Sequence, residues 1–294
     1  MKVAAVVVNY NGGDDLARCV GSLRSEGVDQ LVVVDNGSTD SSLQLLAGQD
    51  PEAARSVVLT GRNLGYGGAA NRGAASLIPP PDAVLVSNPD LVVHPATLKA
   101  LAAALEADPS LGIVGPRLEN PDGSLYPSAR SFPDLADAIG HALLGSLMPG
   151  NRFSRRYKLL DWDHAGARRV DWVSGACFLT RWEVWQALGG FDESYFMYME
   201  DVDLCWRAGR LGWGVAYEPQ GCVTHVQGTA ANQRPYRMIV AHHRSMLQFA
   251  ARTETGTARL LLPLMVVGVV VRAALACVSR WLEGRRHREP DQVR

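Results

Sequence analysis

Three acid-bearing stretches in this 294-residue chain have the residue types and spacing to do chemistry. Asp35-Asn36-Gly37-Ser38-Thr39-Asp40 follows the apolar run Leu31–Val34, and Ser87-Asn88-Pro89-Asp90 follows Ala83–Val86. Glu200-Asp201-Val202-Asp203 follows Tyr195-Phe196-Met197-Tyr198-Met199. An acid at the end of a buried strand, such as Asp35, can accept hydrogen bonds from the base or ribose of a nucleotide. Asp90, similarly placed, can hold Mg2+ or Mn2+, hard ions that share oxygen ligands with a diphosphate. A carboxylate beneath apolar rings gains proton affinity, which suits a general base. His225, at the end of Cys222–Val226, adds an imidazole that can bind metal. Each stretch also has a plainer reading. Ser38 or Asp40 can cap a helix, Asn-Pro-Asp is ordinary turn chemistry, acids in a first helical turn favour the dipole, and a lone strand histidine is often structural.

These residues need a scaffold, and the chain supplies one. Apolar, β-branched runs at Val3–Val8, Leu31–Val34, Ser56–Leu59 and Ala83–Val86 each lead through a polar turn into a helical stretch. Those stretches are Asp14–Glu26, Asp40–Gly48, Gly65–Leu77 and Pro95–Ala107; a fifth run is Gly112–Val114. This alternation predicts βαβ units and an α/β fold with a mainly parallel sheet, whose ligands bind at the carboxyl ends of the strands. Further on, the pattern predicts helices over Leu135–Leu147, Trp182–Leu188, Asp201–Leu211 and about Pro235–Arg252, and strands at Val170–Thr180, Trp213–Tyr217 and Cys222–Val226. Asn9-Tyr10-Asn11-Gly12-Gly13 stands where a dinucleotide-binding enzyme would need GxGxxG, so a dehydrogenase is excluded.

A net charge of −1 gives no case for nucleic-acid binding. The sum conceals a division, since residues 234–294 carry 11 arginines against four acids, net +7, and the rest of the chain is −8. Five widely spread cysteines without a CxxC pair offer neither a zinc site nor a disulfide frame and fit a reducing cytosol. The apolar run Leu260–Val271 is broken by Pro263 and Gly268 and is short of the ~20 residues that span a bilayer. With Arg259, Arg272 and Arg280 around it, the expectation is a helix lying on an anionic membrane surface. Residues 1–252 would then be the catalytic domain, its nucleotide half ending near 115, and 253–294 a basic tail.

Taken in order, VVNYN (7–11), DNGSTD (35–40), NLGYGGAANRG (63–73), SNPD (87–90), SGACFL (174–179), GGFDESYFMYMEDVDL (189–204) and His225 resemble the inverting family-two glycosyltransferases of the GT-A fold. Within them NPDGSLYPSAR (120–130), WVSGACFLTR (172–181) and AHHRS (241–245) resemble actinobacterial cell-wall rhamnosyltransferases. The resemblance implies Asp201 as the catalytic base, and Tyr10, Asp35, Asn36, Gly37, Asn63, Gly65, Asn71 and Asn88 along the donor groove. It implies Asp90 and His225 as metal ligands, with Asn88 replacing the first aspartate of the family's fuller motif. Glu200 and Asp203 would support the base, and Trp172 and Tyr198 are aromatic candidates for stacking on a sugar or for the core. The reaction implied moves L-rhamnose from dTDP-L-rhamnose to a polyprenyl-diphosphate-linked N-acetylglucosamine at the inner face of the plasma membrane. Another nucleotide-sugar donor, or a noncatalytic glycan-binding module, are the alternatives.

Overall fold

The computed structural model describes residues 1–132, 151, 155, 158–226 and 235–286; the helix expected over Leu135–Leu147 lies outside them. Strand β1 (Val3–Asn9) is buried along its whole length. Successive strand side chains point to opposite faces, and here both faces are covered. Val3, Ala5 and Val7 pack with Leu16, Val20 and Leu23 of helix α1 (Gly13–Ser25), while Ala4, Val6 and Val8 join a second core. β2 (Gln30–Asp35), helices α2 (Ser42–Gln49) and α3 (Pro51–Arg55), and β3 (Val57–Leu59) follow. Helix α4 (Tyr66–Ala75) lays Ala69, Ala70 and Ala74 on the second core, and β4 (Ala83–Ser87) completes the nucleotide half. β3, β2, β1 and β4 are parallel neighbours in that order, so their carboxyl ends, and the turns after them, lie along one edge.

The second half makes the sheet mixed. After β5 (Leu91–Val93) and α5 (Thr97–Ala107), β6 (Leu111–Glu119) leads to the short strands β7 (Leu125–Tyr126), β8 (Ala129–Arg130), β9 (Arg168–Val170) and β10 (Trp172–Val173). Strand β11 (Cys177–Arg181) runs antiparallel between β4 and β6. The single strand expected at Val170–Thr180 is therefore three, because the chain turns at Ser174-Gly175 to pass from one small sheet to the main one. Helices α6 (Trp182–Leu188) and α7 (Glu200–Arg210) precede β12 (Gly214–His225), which pairs parallel to β6 and antiparallel to β5. Two strands were expected there. They are one, with an irregularity between Glu218 and Cys222 that absorbs Pro219-Gln220-Gly221.

Helix α8 (Pro235–Thr253) and a 3-10 turn at Gly256–Leu261 lead into α9 (Leu262–Arg286). Leu247 and Ala250 of α8 pack on Leu262, Met265 and Val269 of α9. Val266, Val267, Val270 and Val271 are left exposed on α9. Among the described residues no helix is long and apolar enough to cross a membrane.

Candidate active site

The turns at the carboxyl edge are tied together by amides. Asn9, buried at the end of β1, donates from Nδ2 to Asp35 Oδ1 (3.0 Å), Ser38 Oγ (3.1 Å) and Ser42 Oγ (2.9 Å), and its Oδ1 accepts the Gly12 N–H (3.2 Å). Asp35 is buried as well, its second oxygen accepting the Ser38 N–H (3.2 Å). Asn36 crosses to the next turn, donating to Asn63 Oδ1 (3.2 Å) and the Gly65 carbonyl (3.1 Å) while accepting the Leu64 N–H (2.8 Å). Gly37 brings its backbone against that of Arg62. Asn9 lies in the Asn9–Gly13 turn and the VVNYN motif picked out in the sequence, but it was given no role there; its part is to tie the turns together.

Above this edge opens a cavity of about 550 Å3, the size of a small-molecule site. Tyr10, Asn36, Asn63 and Asn88 line one part of it, and Asp90, His225, Glu200 and Asp201 another. Trp172 and Tyr198 line it too, Trp172 with its ring mostly buried and its Nε1 donating to the Ser131 carbonyl (2.9 Å). Residues separated by up to 215 positions in sequence thus meet in one space.

Asp90 and His225 face each other, with Oδ1 3.3 Å from Nε2. β12 pairs with β5, placing His225 opposite Leu91, and the Val226 N–H bonds the Asp90 carbonyl (3.0 Å), so backbone pairing sets their approach. The Nδ1 of His225 is buried without a partner. One carboxylate and one imidazole fit a divalent cation, whose remaining positions an incoming diphosphate and water would fill. Among the described residues no cluster of three such side chains forms, so Asp90 and His225 by themselves supply only part of a coordination shell.

Glu200 and Asp201 open α7 after two residues with left-handed backbone, Tyr198 (φ 66°) and Met199 (φ 69°). Such conformations cost about 1–3 kcal/mol for side chains other than glycine and persist where the surroundings enforce them. They turn both carboxyls toward the cavity. Asp201 accepts backbone N–H groups from Gly175 (2.8 Å, Oδ2) and Val202 (2.9 Å, Oδ1). Burial raises its proton affinity, and these two donors together with the Arg130 charge oppose the rise. Glu200 is more deeply buried, and one carboxyl oxygen has no partner. Burial, then the Asp201 charge, pushes it up to about 8. Both carboxyls thus hold a proton more tightly than an ordinary acid, and the backbone donors and the Arg130 charge favour negative charge on Asp201 over Glu200.

Five expected residues stand off the cavity. Asn71 was expected along the donor groove, but it donates to the Phe191 carbonyl (2.9 Å) and Glu193 Oε1 (3.1 Å) and accepts the Phe191 N–H (2.9 Å), fastening α4 to the turn before the acids. Asp35 and Gly37 act from behind, through Asn9 and Arg62. Gly65 (φ 84°) lets the chain pass the Phe196 carbonyl, where any Cβ would stand 2.2 Å away. Asp203 also turns away. Fully buried, it pairs with Arg207 Nε (2.6 Å) and Arg252 Nη1 (2.9 Å).

The Glycosyltransferase like family 2 model matches residues 1–239, which takes in every one of these site residues. The chain belongs to the family-two glycosyltransferases. It is 38% identical over 262 residues to the N-acetylglucosaminyl-diphospho-decaprenol L-rhamnosyltransferase of Mycobacterium tuberculosis, covering 85% of this chain and 84% of that one. It is 30% identical over 211 residues to a low-salt glycan biosynthesis hexosyltransferase of Haloferax volcanii, covering 71% and 62%. Among solved structures it resembles the mannosyltransferase PcManGT of Pyrobaculum calidifontis in complex with GDP-Man and Mn2+ (TM-score 0.56, 15% identity, 95% of this chain and 74% of that one). It also resembles GalNAc-T7 with UDP, GalNAc and Mn2+ (TM-score 0.57, 15% identity, 77% and 44%). The fold of this glycosyltransferase is GT-A.

The glycosyltransferase cavity has three further polar walls that the sequence did not disclose. Arg130 lies over the Trp172 ring, 5.1 Å from its centroid, and its charge reaches Asp201. Arg237 and His242 enter from α8, with the His242 ring 5.1 Å from Tyr198, edge to face. Helix α8 is itself strapped to the segment that carries the acids. Ser245 Oγ donates to the Met197 carbonyl (3.0 Å), and Arg252 reaches Asp192 (2.6 Å) as well as Asp203. Only the short AHHRS string pointed there, because helical polar residues give no sign of which face meets a cavity.

Proposed function

We propose that this glycosyltransferase moves L-rhamnose from dTDP-L-rhamnose to a polyprenyl-diphosphate-linked N-acetylglucosamine, with inversion at the anomeric carbon. The observation that carries the mechanism is one cavity holding a hydrogen-bonded Asp201 together with the Asp90–His225 pair. The relative of Mycobacterium tuberculosis, aligned over most of both chains, supports the choice of L-rhamnose as the sugar moved and of the acceptor. Asp201 takes the proton from the attacking acceptor hydroxyl as its oxygen bonds to the anomeric carbon, and the nucleoside diphosphate departs from the opposite face. Protonated Glu200 adds no second negative charge beside the base. A divalent cation, Mg2+ or Mn2+, supplies neutralisation of the leaving diphosphate when Asp90 and His225 hold it. Tyr10, Asn36, Asn63 and Asn88 bind the donor.

The same reading gives the tail a purpose. The valine stripe of α9 and the basic tail of residues 253–294 rest on anionic lipid at the cytoplasmic face, where a polyprenyl-linked acceptor resides. The test is a donor panel: release of nucleoside diphosphate from dTDP-L-rhamnose and from galactofuranosyl, mannosyl and glucosyl nucleotides, each with polyprenyl-diphospho-N-acetylglucosamine. Turnover confined to dTDP-L-rhamnose is expected, and none with it overturns the reading.

A further inference from the structure

Helix α8 offers the cavity cations rather than acids. Arg237, Met238 and His242 line it from that helix, whereas its carboxylates come from the sheet edge (Asp90) and from α7 (Glu200, Asp201). Arg237 is exposed, and among the described residues it has no carboxylate within ion-pair distance. His242 is only partly buried and already touches Tyr198, the residue that turns the chain toward Glu200. A second cation, after Arg237, adjoins them. The stripe of α9 that packs on α8 runs Leu262, Met265, Val269, and its 3-4-3 spacing continues to Arg272. Arg272 indeed lies close enough to help His243 and burial lower the proton affinity of His242, to about 4. The exposed valines of α9 sit on the far side of that stripe.

From these positions we propose that Arg237 and His242, flanked by Arg272, form a subsite for the diphosphate of the lipid-linked acceptor, between the cavity and the apolar stripe of α9. The proposal rests on the acceptor class given above. A donor diphosphate is a poor candidate for the same groups, because its metal-binding pair, Asp90 and His225, belongs to a different wall. Guanidinium groups bind phosphate oxygens in a two-pronged fashion, and a neutral imidazole donates one further hydrogen bond. The order that results is the order of the acceptor itself: sugar hydroxyl at Asp201, diphosphate at Arg237 and His242, prenyl chain on α9.

The experiment reads binding separately from turnover. Geranyl diphosphate is titrated calorimetrically into the full-length protein in EDTA, so that Asp90 and His225 have no cation with which to hold a diphosphate. The R237A and H242Q variants are each expected to weaken binding about tenfold or more, with R237K recovering most of the loss and geraniol not binding at all. Unchanged affinity in both variants, or equal affinity for geraniol, overturns the subsite whatever the donor is. In kinetics with dTDP-L-rhamnose, R237A is expected to raise KM for polyprenyl-diphospho-N-acetylglucosamine about tenfold while the KM for donor stays within twofold. A rise of the same size in both KM values also overturns it. Absence of turnover in the wild type, with the calorimetric difference intact, strikes only the choice of donor and acceptor.

Discussion

Gly175 donates its backbone N–H to Asp201 Oδ2 at 2.8 Å, and a Cβ on Gly175 would lie 3.0 Å from that of Asp201. The proposed base is thus seated by a main-chain group that the lack of a side chain lets come so near. Asp201→Asn keeps the shape and most of this seating but removes the basic oxygen. We expect kcat to fall about 10²–10⁴-fold, the usual range for a general base, with donor affinity by calorimetry within a few fold. Near-wild-type turnover would remove Asp201 from the role.

Glu200 makes stability depend on pH in a defined direction. Its affinity for a proton is raised in the folded protein, from 4.5 to about 8, so the folded state binds more protons than the unfolded one across that interval. Its contribution is whole at acid pH and declines as pH climbs toward 8. Glu200→Gln cannot ionise, so its Tm relative to wild type should rise steadily between pH 5 and pH 9. A difference that stays flat over this range refutes the assignment.

Asp203 should behave as a structural ion. Removing one partner of a buried pair costs about 3–5 kcal/mol because the other charge is left without compensation. Asp203→Ala strands the Arg207 charge and leaves Arg252 with Asp192 alone, and is expected to cost an amount of that order in urea unfolding. Per folded molecule, its turnover should stay within about tenfold of wild type, in contrast to Asp201→Asn. A stability change under ~1 kcal/mol would contradict the burial of the network.

The cation proposed at Asp90 and His225 makes metal dependence a direct test. Chelation should stop turnover, Mg2+ or Mn2+ should restore it, and Asp90→Asn should raise the concentration of cation needed. Full activity in EDTA would dismiss the cation.

Membrane contact is assigned to one face of α9. Replacing Val267, Val270 and Val271 by serine should lower co-sedimentation with anionic vesicles several-fold and leave turnover of a short, water-soluble acceptor unchanged. Undiminished vesicle binding would make the stripe irrelevant to lipid.

The nucleotide half was legible because its strands are buried on both faces and read as unbroken valine and alanine runs, such as Val3–Val8, with turn residues between them. Three errors have physical causes. β5 is only three residues long, too short for any period to register. The irregularity in β12 imitates a loop, since Pro219 and Gly221 are the usual punctuation of one. Asn71 and Asp203 fall within motifs and so invited a role in the groove, yet residue type and spacing do not say which polar groups satisfy one another. The same blindness hid Arg130, Arg237 and His242, whose meeting with Asp201 is a property of the assembled walls.

The strap from α8 to the catalytic segment bears on how tails are exchanged among related transferases. The family match ends at residue 239, inside α8, but Ser245 and Arg252, which grip Met197, Asp192 and Asp203, come after that point. A chimaera joined at 239 would borrow its grip from a stranger and set the base on a foreign footing. A graft joined beyond Thr253 would leave that grip intact and exchange only α9, together with Arg272.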